Sequence, residues 1–320
     1  MATVTRIGND ATNFWDYDTD NDLIDLSRAS SSNNLITLQT STSTLCLNPE
    51  KTALLIVDMQ NFFLSPAVRP RSVKQEPTAA EAAAQALLDM GIPAARAHGI
   101  QIVWLSWGLT ECDLNTMPPA VMRTFGNYTA ASSTVKQGDL EKPIPTVPNM
   151  IRTKNPALYR GLGTELGTVD LGDNQTVQGG RVLMRGSWNA GLYEPLERAY
   201  QAGSQQTSTL QGSKSDVLIY KNRTSGLCIP GSDLEKFLER EGITTLLFGG
   251  VNTDQCVGGT LMDAFSKGYD CILLRDAATT GTPFGANEVW EWNITNCWGF
   301  VTTCEALQNA STAADNRNRF

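Results

Sequence analysis

Three residues far apart in the chain carry side chains that can trade a proton: Asp58, Lys221 and Cys256. All three are ionisable types, and a thiol becomes reactive once it is deprotonated. Each stands where a short apolar run stops. Thr52–Met59 (Thr-Ala-Leu-Leu-Ile-Val-Asp-Met) runs into Asp58, Asp216–Tyr220 is followed directly by Lys221, and Ile243–Phe248 leads through Gly249-Gly250 to Cys256. Apolar, β-branched runs of this length read as buried parallel strands. Open α/β sheets gather their ligands beyond the carboxyl ends of such strands, so the three side chains are expected at one crevice.

Cys256 has a further local advantage. Asn252, Thr253 and Asp254 are helix-capping types, and an apolar helical pattern follows through Val257, Leu261, Met262, Ala264 and Phe265 to a closing Gly268. The thiol would lie in the first turn of that helix, where free N–H groups and the positive dipole end favour a thiolate. The plain alternatives are a small buried hydrophobe at Cys256 and a turn-capping carboxylate at Asp58.

The elements that must position these residues alternate between strand and helix. Pro77–Ala97 reads as an amphipathic helix interrupted near Gly91-Ile92-Pro93, and Ile100–Ser106 as a second strand, giving with the first a right-handed βαβ unit. Tyr193–Ala202, Ser232–Arg240 and Asn287–Cys297 read as helices, and Cys271–Leu274 and Phe300–Thr303 as the last two strands. The expected fold class is α/β: a three-layer, Rossmann-like domain over 51–305, with a central, mostly parallel sheet of about six strands and helices on both faces. Residues 1–50 are polar and aperiodic and read as an extended arm with a short strand at Leu35–Leu38; 306–320 reads as a polar tail. The Pro- and Gly-rich stretch 108–180 reads as irregular. An insertion spanning 108–190 is expected over the carboxyl edge of the sheet, as a lid or a subunit contact.

Composition narrows the function classes. A chain of 320 residues with 41% hydrophobic content can bury a sizeable core, and its net charge of −8 offers no basic excess for nucleic acid or an anionic membrane. No apolar run approaches a bilayer span, and the opening residues lack the apolar core of a signal peptide, so a cytoplasmic setting is expected. The seven cysteines are scattered, with no CxxC pair, which argues against a disulfide framework or a zinc knuckle. With a single histidine, His98, no His-pair metal site can be built, and a Cys–His couple would depend wholly on that residue. The other reading of His98 is a cation at a helix end. No metal and no cofactor are expected. Gly249-Gly250 and Gly258-Gly259 lack the G-x-G-x-x-G spacing of a dinucleotide site.

Three stretches resemble the isochorismatase-like cysteine hydrolase superfamily, which also includes nicotinamidases, N-carbamoylsarcosine amidases, ureidoacrylate amidohydrolases and biuret hydrolases. They are Ala53-Leu-Leu-Ile-Val-Asp-Met-Gln-Asn61, Lys221-Asn-Arg-Thr-Ser-Gly-Leu227, and Gly249-Gly-Val-Asn-Thr-Asp-Gln-Cys-Val257 with Asp263-Ala264. The resemblance spans roughly residues 50–305 at the level of the fold. The insertion and the Gly180–Trp188 segment are similar to a fungal branch.

The resemblance implies Cys256 as nucleophile, Asp58 as its base and Lys221 as the charge that holds them. It also implies a cis peptide at Val251–Asn252, which would aim the Asn252 N–H at the point reached by the Cys256 N–H, forming an oxyanion hole. The implied reaction is cleavage of a C–N bond in a small amide or ureido substrate through a thioester. The alternative is isochorismatase-type vinyl-ether cleavage, with Asp58 as acid and Cys256 dispensable. A third reading is a non-enzymatic binding scaffold. Homo-oligomers, dimers or tetramers, are expected from the same resemblance. Nicotinamidases hold a metal with an Asp and two His, which this chain cannot supply. Trp107, Phe63 and Arg223 are candidate substrate contacts. Trp107 would line the pocket or simply pack; Arg223 would bind a carboxylate or ureido oxygen, or sit in a salt bridge.

Overall fold

The computed structural model describes residues 4–8, 12–32, 34–68, 78–125, 161–205 and 214–312. The chain begins with β1 (Val4–Ile7), β2 (Trp15–Asp18), β3 (Leu23–Asp25), β4 (Ile36–Gln39) and β5 (Thr44–Leu47). Next come β6 (Thr52–Val57) and β7 (Gln101–Trp107), then a hairpin of β8 (Thr168–Gly172) and β9 (Gln175–Gln178). Strands β10 (Val217–Lys221), β11 (Thr245–Val251), β12 (Asp270–Thr279) and β13 (Phe300–Thr302) follow, and β14 (Ser311–Thr312) closes the described chain.

The functional sheet has six strands in the order β10-β7-β6-β11-β12-β13, and every neighbouring pair is parallel. Helices flank it, as the alternating pattern predicts. All residues of β6, β7 and β11 are buried, which explains why they read as unbroken apolar runs. From β6 the chain moves outward through β7 to β10, then returns to place β11 on the other side of β6. The crevice between β6 and β11 is therefore a topological switch point, where open α/β sheets bind ligands.

Several element boundaries differ from the sequence expectation. Strand β7 carries on through Trp107, β10 includes Lys221, and β11 runs past Gly249-Gly250 to Val251. Gly250 has φ +115, and a Cβ there would lie 2.1 Å from the Val57 carbonyl oxygen of β6. That glycine permits close strand approach; it is no stop signal. The expected interruption at Gly91–Pro93 is a π-helical turn, Leu87–Gly91, joining helices Ala79–Ala86 and Ile92–Ala97. Pro93 sits in the first turn of the second helix, where its missing N–H costs little. The first helix starts from a capping box of Thr78 and Glu81; the expected start at Pro77 lies outside the described residues.

The described residues of the first fifty are not an extended arm, although the short strand expected at Leu35–Leu38 is present as β4. Their strands form a second sheet, β1-β2-β3-β5-β4-β14, which the segment after the last helix completes. Leu26, Ile36, Leu38, Leu45 and Leu47 join the core of the main domain. Asp270, at the start of β12, accepts from Trp15 Nε1 at 2.7 Å and from both terminal nitrogens of Arg28 at 2.7 and 2.9 Å, fastening that layer to the functional sheet. No helix among the described residues is long and apolar enough to cross a membrane.

The described parts of the expected insertion are partly regular. β8 and β9 pair antiparallel through Asp173-Asn174, both at positive φ as a tight hairpin turn requires. The stretch 183–192 lies over the carboxyl edge: Gly191 O accepts from Asn61 N at 2.9 Å, and Leu183 O accepts from Leu109 N at 2.9 Å. Residues 126–160 and the tail beyond Thr312 lie outside the described residues.

Candidate active site

Along the carboxyl edge, β10, β7, β6 and β11 deliver Lys221, Trp107, Asp58 and Cys256 in that spatial order. Lys221 and Trp107 are register partners at the ends of adjacent strands. Asp58 leaves β6 at φ +53, in the left-handed region, with its N–H still donating to Leu105 O at 2.8 Å. That turn swings its carboxylate off the strand line and along the edge.

The structure brings Asp58, Lys221 and Cys256 together. Lys221 Nζ lies 2.9 Å from Asp58 Oδ2, and the two side chains are 3% and 0% exposed. Lys221 also donates to the Arg223 carbonyl at 3.2 Å. Asp58 Oδ1 accepts from the Trp107 backbone N–H at 3.1 Å. Cys256 lies in the π-helical turn Thr253–Val257, which opens the helix Gly258–Ser266. Its side chain interacts with the Asp58 carboxylate, and its Sγ accepts from Trp107 Nε1 at 3.4 Å. Thr260 Oγ1 donates to the Cys256 carbonyl at 2.7 Å and steadies the turn.

The electrostatics differ from the thiolate expected at a helix start. Burial and the neighbouring Asp58 carboxylate push the Cys256 thiol up to about 12, against the pull of Lys221 and the Trp107 N–H. Burial likewise raises Asp58, with Lys221 opposing. A site closed to water penalises charge more than one helix turn favours it. Burial and the neighbouring carboxylate thus favour the thiol over the thiolate at Cys256.

The Val251–Asn252 peptide is cis. The Gln255 and Val257 N–H groups both donate to the Asn252 carbonyl, at 2.9 and 3.1 Å, and the Cys256 N–H lies between them in the chain. Of the residues read as substrate contacts, Trp107 is fully buried beside Asp58, Lys221 and Cys256, and Phe63 is buried edge-on to Phe62 and Phe125. Arg223 turns its guanidinium back to the Asn222 carbonyl at 2.8 Å, while its own carbonyl holds Lys221. His98 stands at the end of helix Ile92–Ala97, with Nε2 3.2 Å from Leu307 O. It precedes β7, so it occupies the amino edge, opposite Cys256. Among the described residues, no group of three His, Cys, Asp or Glu side chains converges as a metal site would require.

Two supporting residues escaped the sequence reading. Gln60 Nε2 donates to Trp107 O at 2.8 Å and Ala190 O at 2.6 Å, while Gln60 Oε1 accepts from Trp107 N at 3.0 Å. Asn189, fully buried, accepts from Leu183 N at 2.8 Å and donates to Gly179 O and Arg181 O at 2.7 and 2.9 Å. Gln60 was signalled by its place two residues after Asp58. Asn189 had no signal, because its partners are backbone groups of an irregular segment.

Residues 176–306 match the isochorismatase domain family, a stretch holding Lys221 and Cys256 but not Asp58. The chain is 26% identical to the ureidoacrylate amidohydrolase RutB of Azorhizobium caulinodans, over 82% of this chain and 90% of that protein. Among solved structures it is similar to a cysteine hydrolase from Pseudomonas syringae pv. phaseolicola, with 20% identity, 82% and 93% coverage and a TM-score of 0.46. It is also similar to a pyrazinamidase/nicotinamidase from Streptococcus mutans, with 17% identity, 78% and 99% coverage and a TM-score of 0.47.

Proposed function

We propose that the chain is a cysteine amidohydrolase of the isochorismatase-like type, cleaving a C–N bond of a small amide or ureido compound through a thioester on Cys256. The observation that carries this reading is the buried junction of Asp58, Lys221 and Cys256, with its 2.9 Å ion pair. The similarity to a ureidoacrylate amidohydrolase supports amide hydrolysis and an acyclic ureido substrate.

Cys256 Sγ attacks the carbonyl carbon as its proton passes to Asp58, so no free thiolate need accumulate. Lys221 keeps Asp58 ionised until that moment. The oxyanion formed is held by the Asn252 and Cys256 backbone N–H groups, each such donor being worth ~3 kcal/mol. The C–N bond then breaks, and Asp58 returns the proton to the departing nitrogen. Water attacks the thioester, gives a proton to Asp58, and the S–C bond breaks; that proton restores the thiol. One water is consumed, and a carboxylic or carbamic acid and ammonia or an amine are released.

A second reading takes support from the isochorismatase-domain match: vinyl-ether cleavage, with Asp58 as a carbon-protonating acid. The two part at Cys256. Ammonia release is measured over ureidoacrylate-like, carbamoyl, biuret-like and simple amide compounds, with Cys256→Ala and Cys256→Ser alongside. Amide turnover is expected in the wild type and in neither variant. Intact turnover of a vinyl ether by Cys256→Ala would favour the second reading, and amide turnover surviving in that variant would overturn the first.

A further inference from the structure

Trp107 touches all three members of the junction, each with a different group. Its backbone N–H donates to Asp58 Oδ1 at 3.1 Å, its indole N–H donates to Cys256 Sγ at 3.4 Å, and its ring centroid lies 4.1 Å from Lys221 Nζ. The topology explains why one residue can do this. Lys221 comes from β10 and Asp58 from β6, and the strand between them is β7, which ends in Trp107. Lys221 must reach its carboxylate across that ring.

Trp107 is itself held. Gln60 brackets its backbone, accepting from the N–H at 3.0 Å and donating to the carbonyl at 2.8 Å. Phe125 packs edge-on against its indole, with centroids 5.8 Å apart. The side chain has no exposed surface, so it is placed to arrange reacting groups, not to meet a ligand directly.

We propose that Trp107 is a positioning residue for the nucleophile: its indole N–H orients and stabilises the sulfur as charge develops on it, and its ring face seats the Lys221 ammonium beside Asp58. A buried indole N–H needs an acceptor, and a sulfur becoming negative is a better one than a neutral thiol, so the contact strengthens during attack. An ammonium over a tryptophan face gains cation–π attraction in a place where water cannot solvate it. The charged groups facing the sulfur are Asp58 and Lys221, and Trp107 contacts both.

This inference rests on the hydrolase reading, so its test includes a readout that needs no substrate. In Trp107→Phe, which keeps a ring and removes the N–H, alkylation of Cys256 by iodoacetamide is followed against pH by peptide mass spectrometry. The profile is expected to move to higher pH by about one unit, and kcat to fall about tenfold with KM little changed. A residue that only packs would lower the melting temperature and leave the alkylation profile in place. A residue that contacts substrate would raise KM. Either outcome overturns the proposal, and if Cys256→Ser still abolishes turnover the hydrolase reading survives it.

A measurement on the unsubstituted Trp107 covers the case in which Trp107→Phe does not fold. Among the indole N–H signals of the seven tryptophans, one is expected to shift in Cys256→Ala, which removes the sulfur that accepts from it. Absence of any such signal would contradict the proposal.

Discussion

Removing either partner of the Asp58–Lys221 pair strands the other in a site closed to water. Both side chains are almost wholly buried, so Lys221→Met leaves an uncompensated carboxylate. The expected cost is about 3 kcal/mol of unfolding free energy in a urea melt, together with loss of amide turnover. A stable but inactive Lys221→Met would mean that the carboxylate had already taken up a proton. Burial raises Asp58 above its ordinary range, and attack consumes its ionised form. Turnover should therefore fall as pH drops through that raised value, with an acid limb centred above the ~4 of a free carboxylate. An acid limb at or below ~4 would show that Asp58 is not the base. At this scale the meeting of Asp58, Lys221 and Cys256 was legible in the sequence, because each follows an apolar strand run to the same edge of the sheet. The protonation state of Cys256 was not, since it depends on how completely three separate segments exclude water.

The contact between β6 and β11 sets the distance between Asp58 and Cys256. Gly250 allows it: a methyl group there would meet the Val57 carbonyl at 2.1 Å, with φ already at +115. Gly250→Ala is expected to lose more than about 2 kcal/mol in a denaturant melt and most amide turnover, because the strands that lead to Asp58 and Cys256 must part. Near-wild-type values for both would show that the switch-point crevice tolerates wider spacing. The parallel strands were readable because their apolar runs are continuous. Of the other sheet only the strand at Leu35–Leu38, β4, was legible, because its strands are two to four residues long and too short for a period to emerge. The segment 179–191 depends on Asn189 and Gln60 bonding to distant backbone groups, and no local pattern announces such partners.

Across the whole molecule, the buried cysteines tie stability to alkaline pH. Burial lifts Cys256 to about 12 and raises Cys271 and Cys304 as well. An unfolded thiol titrates near ~8.5, so above that pH the unfolded chain releases protons that the folded chain keeps. The stability these protonated thiols contribute is whole below ~8.5 and is lost as pH rises toward their folded values. The slope is about 1.4 kcal/mol per pH unit for each thiol and about 4 for the three together. Denaturant midpoints measured from pH 8 upward should fall steeply, and the Cys256→Ala variant should show a shallower fall. An equal slope in the variant would mean that Cys256 ionises in the folded state near its ordinary value.

The most direct test is acid-quenched mass spectrometry of the enzyme during turnover of an amide found in the ammonia-release screen. The predicted result is a transient acyl adduct on the peptide that contains Cys256, absent from Asp58→Asn and from Cys256→Ser. Steady ammonia release by wild type and by Cys256→Ser alike, with no adduct on that peptide, would contradict a buried Asp58–Lys221–Cys256 junction acting through covalent catalysis.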